Sequence, residues 1–468
     1  MIYRTLSIVV LVLVLCNHFV FGAGHLDGGP GQLWKYDEFN SGDWNRTYGS
    51  TEPQQVHISI SSESEYAKVQ FATAAKIEHA VLRYWPKNED HKVKKIEGGE
   101  SWAFVDNGTA QHTIYLHNVQ TKKLKPATVF RYKVGSASKH GPITWNKATF
   151  EFHTARRGNT VNFVATADIG LVNAVAIPAL NRLAASHKYD FLTLSGDQAY
   201  DMADFNGTKA DEYMRFVEPL FANIPFMGSV GNHESAYNFS HWKNRFSNVP
   251  YEESGFNNPM QYSFNYKSLH IVAWSSEGNF EGTPAEMEAS LNWLEKDLEE
   301  ANKHRKKRPW IIVQGHRPLY CTSFAAANDT SCTVDTTTIR DGLLNTTTGV
   351  RTGGVEAIFD KYKIDMYLCG HRHNFERTYP VMNGQVTSKS YHNARSPFQY
   401  LVGNGGNYEL TIPFNTTGPF PDWSAARYSG YGYSTVKATS HQLELTHWGI
   451  TNNGTGHKKI DHLVVTKD

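Results

Sequence analysis

Hydrophobic and polar positions divide the chain into stretches of different texture. Behind Met1-Ile-Tyr-Arg4 lies a short apolar run, Ile8 to Leu15, followed by small residues at Gly22 and Ala23. A positive start, a brief apolar core and a small-residue exit predict a signal peptide over 1–22. From about Gln54 to Thr154 the pattern alternates, as in Val56-His-Ile58-Ser-Ile60, Ala80 to Trp85, Thr113-Ile-Tyr-Leu116 and Val129-Phe-Arg-Tyr-Lys-Val134. Turn residues separate the runs and no helical period appears, so 50–156 is predicted to be a small antiparallel β-sandwich.

After Arg156-Arg-Gly158 the pattern becomes α/β. The apolar strand Val161 to Ala165 leads into Asp168, and a helix with apolar Val175, Ile177, Leu180 and Leu183 follows. A second strand, Phe191 to Leu194, leads into Gly196-Asp197. Strand, helix, strand is a βαβ unit with parallel strands. A helix near Lys209 to Phe221 and a strand Phe226 to Val230 repeat the theme, and strands are expected at Trp310 to Val313 and Ile364 to Leu368. Thr283-Pro-Ala-Glu286 is a capping box with Pro at the first helical position, ahead of Met287, Leu291, Leu294 and Leu298 on one face. The α/β domain is placed at 160–385. Short strand-like runs return over 396–468, a C-terminal segment expected to pack on that domain.

Charge narrows the functional classes. Lys+Arg is 46 and Asp+Glu 45, which becomes 45 against 45 once Arg4 leaves with the signal. Such a balance gives no field for nucleic acid or an anionic membrane. No other apolar stretch approaches the roughly 20 residues of a membrane span. Eight Asn-X-Ser/Thr sequons, at Asn45, Asn107, Asn206, Asn238, Asn328, Asn345, Asn415 and Asn453, stand beside the signal peptide. Together they imply a glycosylated, secreted protein; lysosomal delivery begins with the same signals. Loss of Cys16 leaves Cys321, Cys332 and Cys369. The local choice of disulfide is Cys321 with Cys332, with Cys369 a buried thiol in an apolar run.

The chemistry lies where apolar strands end. In an open α/β sheet, reactive groups collect past the carboxyl ends of strands. Those positions hold Asp168, Asp197 with Tyr200, Asn232-His233-Glu234, His316, and His371 with His373, most of them reached across a glycine at 196, 231, 315 or 370. Each residue alone has an ordinary structural explanation, but five strands ending in metal-ligand types do not. Seven groups exceed one ion, whereas two ions about 3.5–4 Å apart, bridged by a carboxylate, would use them all and match two-metal phosphate-ester hydrolysis. Imidazole beside hard oxygen donors suits Fe, Mn or Zn better than Ca or Mg.

These blocks, Ala167-Asp-Ile-Gly170, Gly196-Asp-Gln-Ala-Tyr200, Gly231-Asn-His-Glu234, Val313-Gln-Gly-His316 and Gly370-His-Arg-His373, resemble those of the purple acid phosphatases, within the calcineurin-like metallophosphoesterases. Gln55 to Ser59 and Leu124 to Gly135 resemble the fibronectin-III-like N-terminal domain of the long, plant-type form also found in animals. Gly403-Asn-Gly-Gly-Asn407 and Asp422-Trp-Ser-Ala-Ala-Arg427 resemble its C-terminal segment. The resemblance implies a fibronectin-III-like β-sandwich followed by an α/β/β/α sandwich. It puts one metal on Asp168, Asp197, Tyr200 and His373, and the other on Asp197, Asn232, His316 and His371. Position 170 is Gly where the wider superfamily carries His, and Tyr200 fills the place with a phenolate. That implies Fe(III) at the tyrosinate site and Fe(II), Zn or Mn at the second. The implied activity is acid hydrolysis of phosphate monoesters through attack by metal-bound hydroxide. His233 would hold phosphate and protonate the leaving group, while Glu234 would orient a neighbouring imidazole. Arg377 is read as structural. Two features depart from the family: Ala167 replaces the usual Gly, and Pro318 to Val350 lacks the additional histidines of plant members. The ligand set leaves open a related enzyme for phosphodiesters, pyrophosphates or nucleotides. A non-catalytic secreted binding glycoprotein is the third reading, though vestigial sites lose ligands and all seven are present.

Overall fold

The computed structural model describes residues 46–139, 141–326, 328–414, 419–451 and 456–468. The expected signal peptide, Cys16, and the sequon residues Asn45, Asn415 and Asn453 lie outside them. No helix among the described residues is long and apolar enough to cross a membrane.

The alternating N-terminal pattern folds as a two-sheet sandwich. One sheet orders Gln54–Ile60, Ala67–Thr73, Thr113–Gln120 and Glu100–Val105. The other orders Lys94–Glu97, His79–Pro86, Val129–Ala137 and Thr144–Trp145, with Phe150–His153 also paired to Val129–Ala137. Val56, Ile58, Val69, Phe71, Leu82, Tyr132, Val134 and Phe152 form the core between them. The first strand does not follow the half-exposed reading of its alternation, because every residue of Gln54–Ile60 is buried. Its polar face packs on the next domain: Arg245 Nη1 donates to Gln55 Oε1 at 2.8 Å, Val56 N–H to Glu218 Oε2 at 2.8 Å, and Ser59 Oγ to the Asn248 carbonyl at 2.5 Å.

The remaining chain is an α/β/β/α sandwich. Its first sheet orders Phe191–Leu194, Val161–Thr166, Gly432–Ala438, Gln442–Ile450 and His457–Thr466; only the first pair is parallel. The second orders Tyr262–Tyr266, Leu269–Ala273, Trp310–Gln314, Met366–Cys369, Phe398–Val402, Phe375–Thr378 and Ser424–Tyr428, with a parallel centre. Phe163, Phe191, Phe264, Ile271, Ile312, Leu368, Val436 and Leu445 fill the space between the sheets. Helices Ile177–Ala185 and Thr208–Phe216 cover one outer face, and Pro284–Lys303 and Glu356–Lys361 the other. Thr283 caps Pro284–Lys303: its N–H donates to Glu286 Oε2 at 2.8 Å and its Oγ1 accepts from Glu286 N–H at 3.3 Å.

Several expectations change in detail. The helix expected over Lys209 to Phe221 breaks at Val217, because Pro219 has no N–H to continue it. Phe226 to Val230 forms only isolated bridges, Leu192 to Phe226 and Ser195 to Ser229, since the Phe226 N–H turns to the Ile58 carbonyl of the sandwich at 2.8 Å. The segment from Phe398 onward does more than pack on the α/β domain, because it supplies strands to both sheets.

Candidate metal centre

The expected ligands converge where the two sheets end side by side, so the site is a seam between sheets and not the edge of one. Asp168, Asp197 and Asn232 follow strands and bridges of the first sheet; His316, His371 and His373 follow Trp310–Gln314 and Met366–Cys369 of the second. The backbone is bent hard to bring them together. Asp168, Asp197, Tyr200 and His371 all have left-handed φ, 56°, 52°, 55° and 70°. Conformations of this kind cost of order 1–3 kcal/mol each and persist where the surroundings over-determine them. Two glycines make room for the side chains: a Cβ on Gly196 would stand 2.2 Å from His316 Nδ1, and one on Gly231 would stand 2.3 Å from Asp197 Oδ1.

Two groups of donor atoms result. In the first, Tyr200 Oη lies 2.7 Å from His373 Nε2 and 3.4 Å from Asp168 Oδ1. In the second, His316 Nε2 lies 2.9 Å from Asn232 Oδ1, 3.1 Å from Asp197 Oδ2 and 3.2 Å from His371 Nδ1, which is 3.0 Å from Asn232 Oδ1. The tautomers follow from backbone carbonyls, which can only accept. His316 Nδ1–H donates to the Ser195 carbonyl at 2.8 Å and His373 Nδ1–H to the Leu410 carbonyl at 3.0 Å, so both Nε2 atoms face inward and carry the lone pair whenever the ring is neutral. Lone pairs of imidazole, amide and carboxylate facing one another at these distances suit cations.

The electrostatics agree. Burial raises Asp168 well above the usual carboxylate range, with Asp197 adding to the effect against His316. Burial also opposes ionisation of Asp197, but the charges of His316 and His233 outweigh it and hold Asp197 far below that range. His316, which burial alone would lower, is raised to about 10 by Asp197. Burial, then Asp168 and Asp197, lift the Tyr200 phenol well above its ordinary value. Positive charge placed among these groups would reverse each rise in the acids. Asp197, His316 and His371 also have ligand atoms within 4.8 Å of one another.

His233 stands beside these groups. Its ring lies 4.3 Å from that of Tyr200, its N–H donates to Asp197 Oδ1 at 3.0 Å, and its Nδ1 is 3.0 Å from Asp201 Oδ1. Glu234 differs from the expectation that it orients an imidazole. Its carboxylate accepts from three backbone N–H groups, of Asp197 at 3.0 Å, Gln198 at 2.8 Å and Gly231 at 2.8 Å, thereby tying two ligand loops together. Arg377 points away, paired with Asp461 at 2.7 and 3.0 Å. The expected disulfide, Cys321–Cys332, is present, and Cys369 is a buried free thiol. Asn107, Asn206, Asn238, Asn328 and Asn345 are all exposed.

The loop that begins at Gly403-Asn-Gly-Gly-Asn407 also reaches the site, through Tyr408 and Glu409, two residues that sequence reasoning did not single out. Glu409 Oε1 lies 3.7 Å from His233 Nε2 and its Oε2 3.8 Å from His373 Nε2, while Tyr408 sets its ring edge-on to Tyr200 at 5.5 Å. Asn407 Nδ2 donates to the Asp168 carbonyl at 3.1 Å. The signal was available, because the apolar strand ending at Val402 and followed by Gly403 repeats the pattern of the other ligand loops.

The fold and this seam define a metallophosphoesterase. The calcineurin-like phosphoesterase family matches residues 161–375, the purple acid phosphatase N-terminal domain 53–154, and the iron/zinc purple acid phosphatase-like protein C domain 396–461. Acid phosphatase type 7 of Mus musculus is 34% identical over 86% of this chain and 88% of its own, and that of Homo sapiens 34% over 85% and 86%. The Fe(3+)-Zn(2+) purple acid phosphatase 12 of Arabidopsis thaliana is 24% identical over 87% of this chain and 83% of its own. A purple acid phosphatase structure from yellow lupin (Lupinus luteus) seeds superposes with a TM-score of 0.70 at 19% identity, covering 89% of this chain and 75% of that one. The chain belongs to the purple acid phosphatases, enzymes with a binuclear metal centre.

Proposed function

We propose that this enzyme hydrolyses phosphate monoesters in acid, with Asp168, Asp197, Tyr200 and His373 holding one ion, and Asp197, Asn232, His316 and His371 the other. The observation that carries this reading is the split of the donor atoms into two groups, with the Asp197 carboxylate beside His316 in the second and its charge acting on Tyr200 of the first. The phenol of Tyr200 favours Fe(III) in the first position, and the name of the Arabidopsis relative supports Zn in the second; Fe(II) and Mn suit the same donors. Bound there, the ions supply an acidified water as nucleophile and neutralise charge on the phosphoryl oxygens.

The protein's own groups do the rest. Asp201 fixes His233 by its Nδ1, leaving Nε2 directed toward the seam and Glu409. Burial opposes charge on His233, but Asp197 and Asp201 outweigh it and raise the imidazole to about 9. In acid it is therefore an imidazolium, able to hold a phosphoryl oxygen and to give its Nε2 proton to the departing alkoxide. Tyr408 stands edge-on to Tyr200 at 5.5 Å, beside this histidine. The exposed sequon residues support a glycosylated protein of the secretory route, secreted or lysosomal, for which intact mass before and after enzymatic deglycosylation is the direct measurement.

The test combines metal analysis with a substrate panel near pH 5. About two ions per chain and faster turnover of 4-nitrophenyl phosphate than of its bis-ester are expected. One ion per chain, or preference for the bis-ester, overturns the proposal.

A further inference from the structure

Two arginines flank the histidines of the metal centre in sequence, and both reach the same short segment. Arg317 follows His316, and Arg372 lies between His371 and His373. Arg372 is buried; its Nη2 and Nη1 donate to Asp329 Oδ2 at 2.6 Å and Oδ1 at 3.1 Å, and its Nε to Ser323 Oγ at 2.9 Å. Arg317 Nη1 donates to Asp335 Oδ2 at 3.2 Å, its Nε being taken by Glu277 at 2.9 Å. Asp329 and Asp335 stand on either side of Cys332, which is bonded to Cys321, and Ser323 Oγ lies 3.6 Å from Cys332 Sγ. Asp329 is also the knot of its own loop, accepting from the N–H groups of Ala325 and Ser331 at 3.0 Å each.

The turn so gripped is the one under strain. His371 has φ 70°, and the turn closes on itself through Arg372 N–H to the Gly370 carbonyl at 2.8 Å and Asn374 N–H to the Arg372 carbonyl at 2.6 Å. Its other side abuts Gly403, where a Cβ would come within 2.1 Å of the Arg372 carbonyl oxygen. A left-handed histidine must be held from outside to keep its ring aimed. A bidentate guanidinium–carboxylate pair fixes direction as well as distance. Release of this loop as a lid would leave a buried guanidinium unpaired, which makes it a brace instead.

We propose that Asp329 is a positioning residue for the metal centre: through Arg372 it fixes the turn carrying His371 and His373, and the Cys321–Cys332 bond holds Asp329 in place. This inference rests on the ligand assignment above. The Arg317–Asp335 pair, single and more exposed, is the lesser brace.

The experiment uses the purified full-length holoprotein in a Ser331→Ala parent, which keeps Asp329→Asn from creating a new sequon ahead of Thr330-Ser331, with Asp329→Asn, Asp329→Glu, Arg372→Met, the Asp329→Asn/Arg372→Met double variant, and a Cys321→Ser/Cys332→Ser variant. Metal loss to a chelator, visible absorption, kcat and KM are followed for each. Expected for Asp329→Asn is metal loss about tenfold faster and kcat about tenfold lower, with KM within twofold, the range typical of groups that orient ligands. Asp329→Glu recovers part of both, and the serine variant reproduces the faster loss. The double variant separates positioning from charge: it stays as impaired as Asp329→Asn if Arg372 acts by holding the turn. Recovery in the double variant to within twofold of the parent overturns the proposal, as do parental metal loss and kcat in Asp329→Asn. Should Asp329→Asn fail to fold, parental metal loss in the serine variant overturns it alone. A parent that binds no metal instead sinks the ligand assignment itself.

Discussion

The phenol of Tyr200 lies 2.7 Å from His373 Nε2, although the two residues are 173 positions apart in sequence. The imidazole already donates its other nitrogen to the Leu410 carbonyl, so the phenolic hydrogen is the one between them and is the first displaced by a cation. Tyr200→Phe is therefore expected to abolish the phenolate-to-Fe(III) charge-transfer absorption that the proposed assignment implies, while leaving the fold intact. A visible band retained in Tyr200→Phe would assign the colour to another group.

Asp197 is the residue proposed to bridge the two ions. Asp197→Ala should lower metal content from about two ions per chain and reduce kcat roughly 100- to 1,000-fold or more, at least the loss seen when one charge-stabilising group is removed. Elemental analysis alongside single-turnover kinetics checks it, and parental metal content in the variant contradicts the bridge.

His233 can be tested through the leaving group. A 4-nitrophenolate departs without a proton, whereas an alkoxide does not. His233→Gln is expected to reduce kcat for an alkyl phosphate by about 100-fold or more, within the usual range for general acids, and for 4-nitrophenyl phosphate by distinctly less. Equal losses on both would reduce His233 to a phosphate-binding group.

Glu218, at the join between the sandwich and the catalytic domain, should itself contribute more stability in acid. Glu218, which accepts the Val56 N–H, is raised from 4.5 to about 7 by burial, against the opposing pull of that N–H, Arg46 and Arg215. The folded state then binds a proton that the unfolded state releases near pH 4.5, so its contribution is full below that value and is lost as pH rises through about 7. The loss is on the order of 3 kcal/mol. His57, His117 and His241, each lowered to about 4 by burial, act in the opposite sense as pH falls below 6.5. Subtracting the stability profile of Glu218→Gln from that of the parent isolates the carboxyl, and a flat difference between pH 4.5 and 7 refutes the assignment.

Much of this was readable before any coordinates, for a physical reason. A ligand placed just past an apolar strand announces itself twice, by residue type and by position, and Asp168, Asp197, Asn232, His316 and His371 all sit in that frame. The capped helix Pro284–Lys303 was equally legible, since its cap is local. What escaped depends on partners distant in sequence. The strand ending at Val402 marks the loop but not that Glu409 will face His233, and nothing near Asp329 says that it will hold Arg372. The burial of His57 and Ser59 depends on a domain that begins a hundred residues later. The carboxylate of Glu234 was assigned to an imidazole because backbone N–H groups carry no sequence signature.

The left-handed backbone at Asp168, Asp197, Tyr200 and His371 also sets a limit on how the molecule can be improved. At these positions glycine is the residue that the chain geometry prefers. Glycine at any of the four would relieve strain but remove a proposed metal donor, and at the fully buried Tyr200 it would also leave a cavity that costs more than the strain relieved.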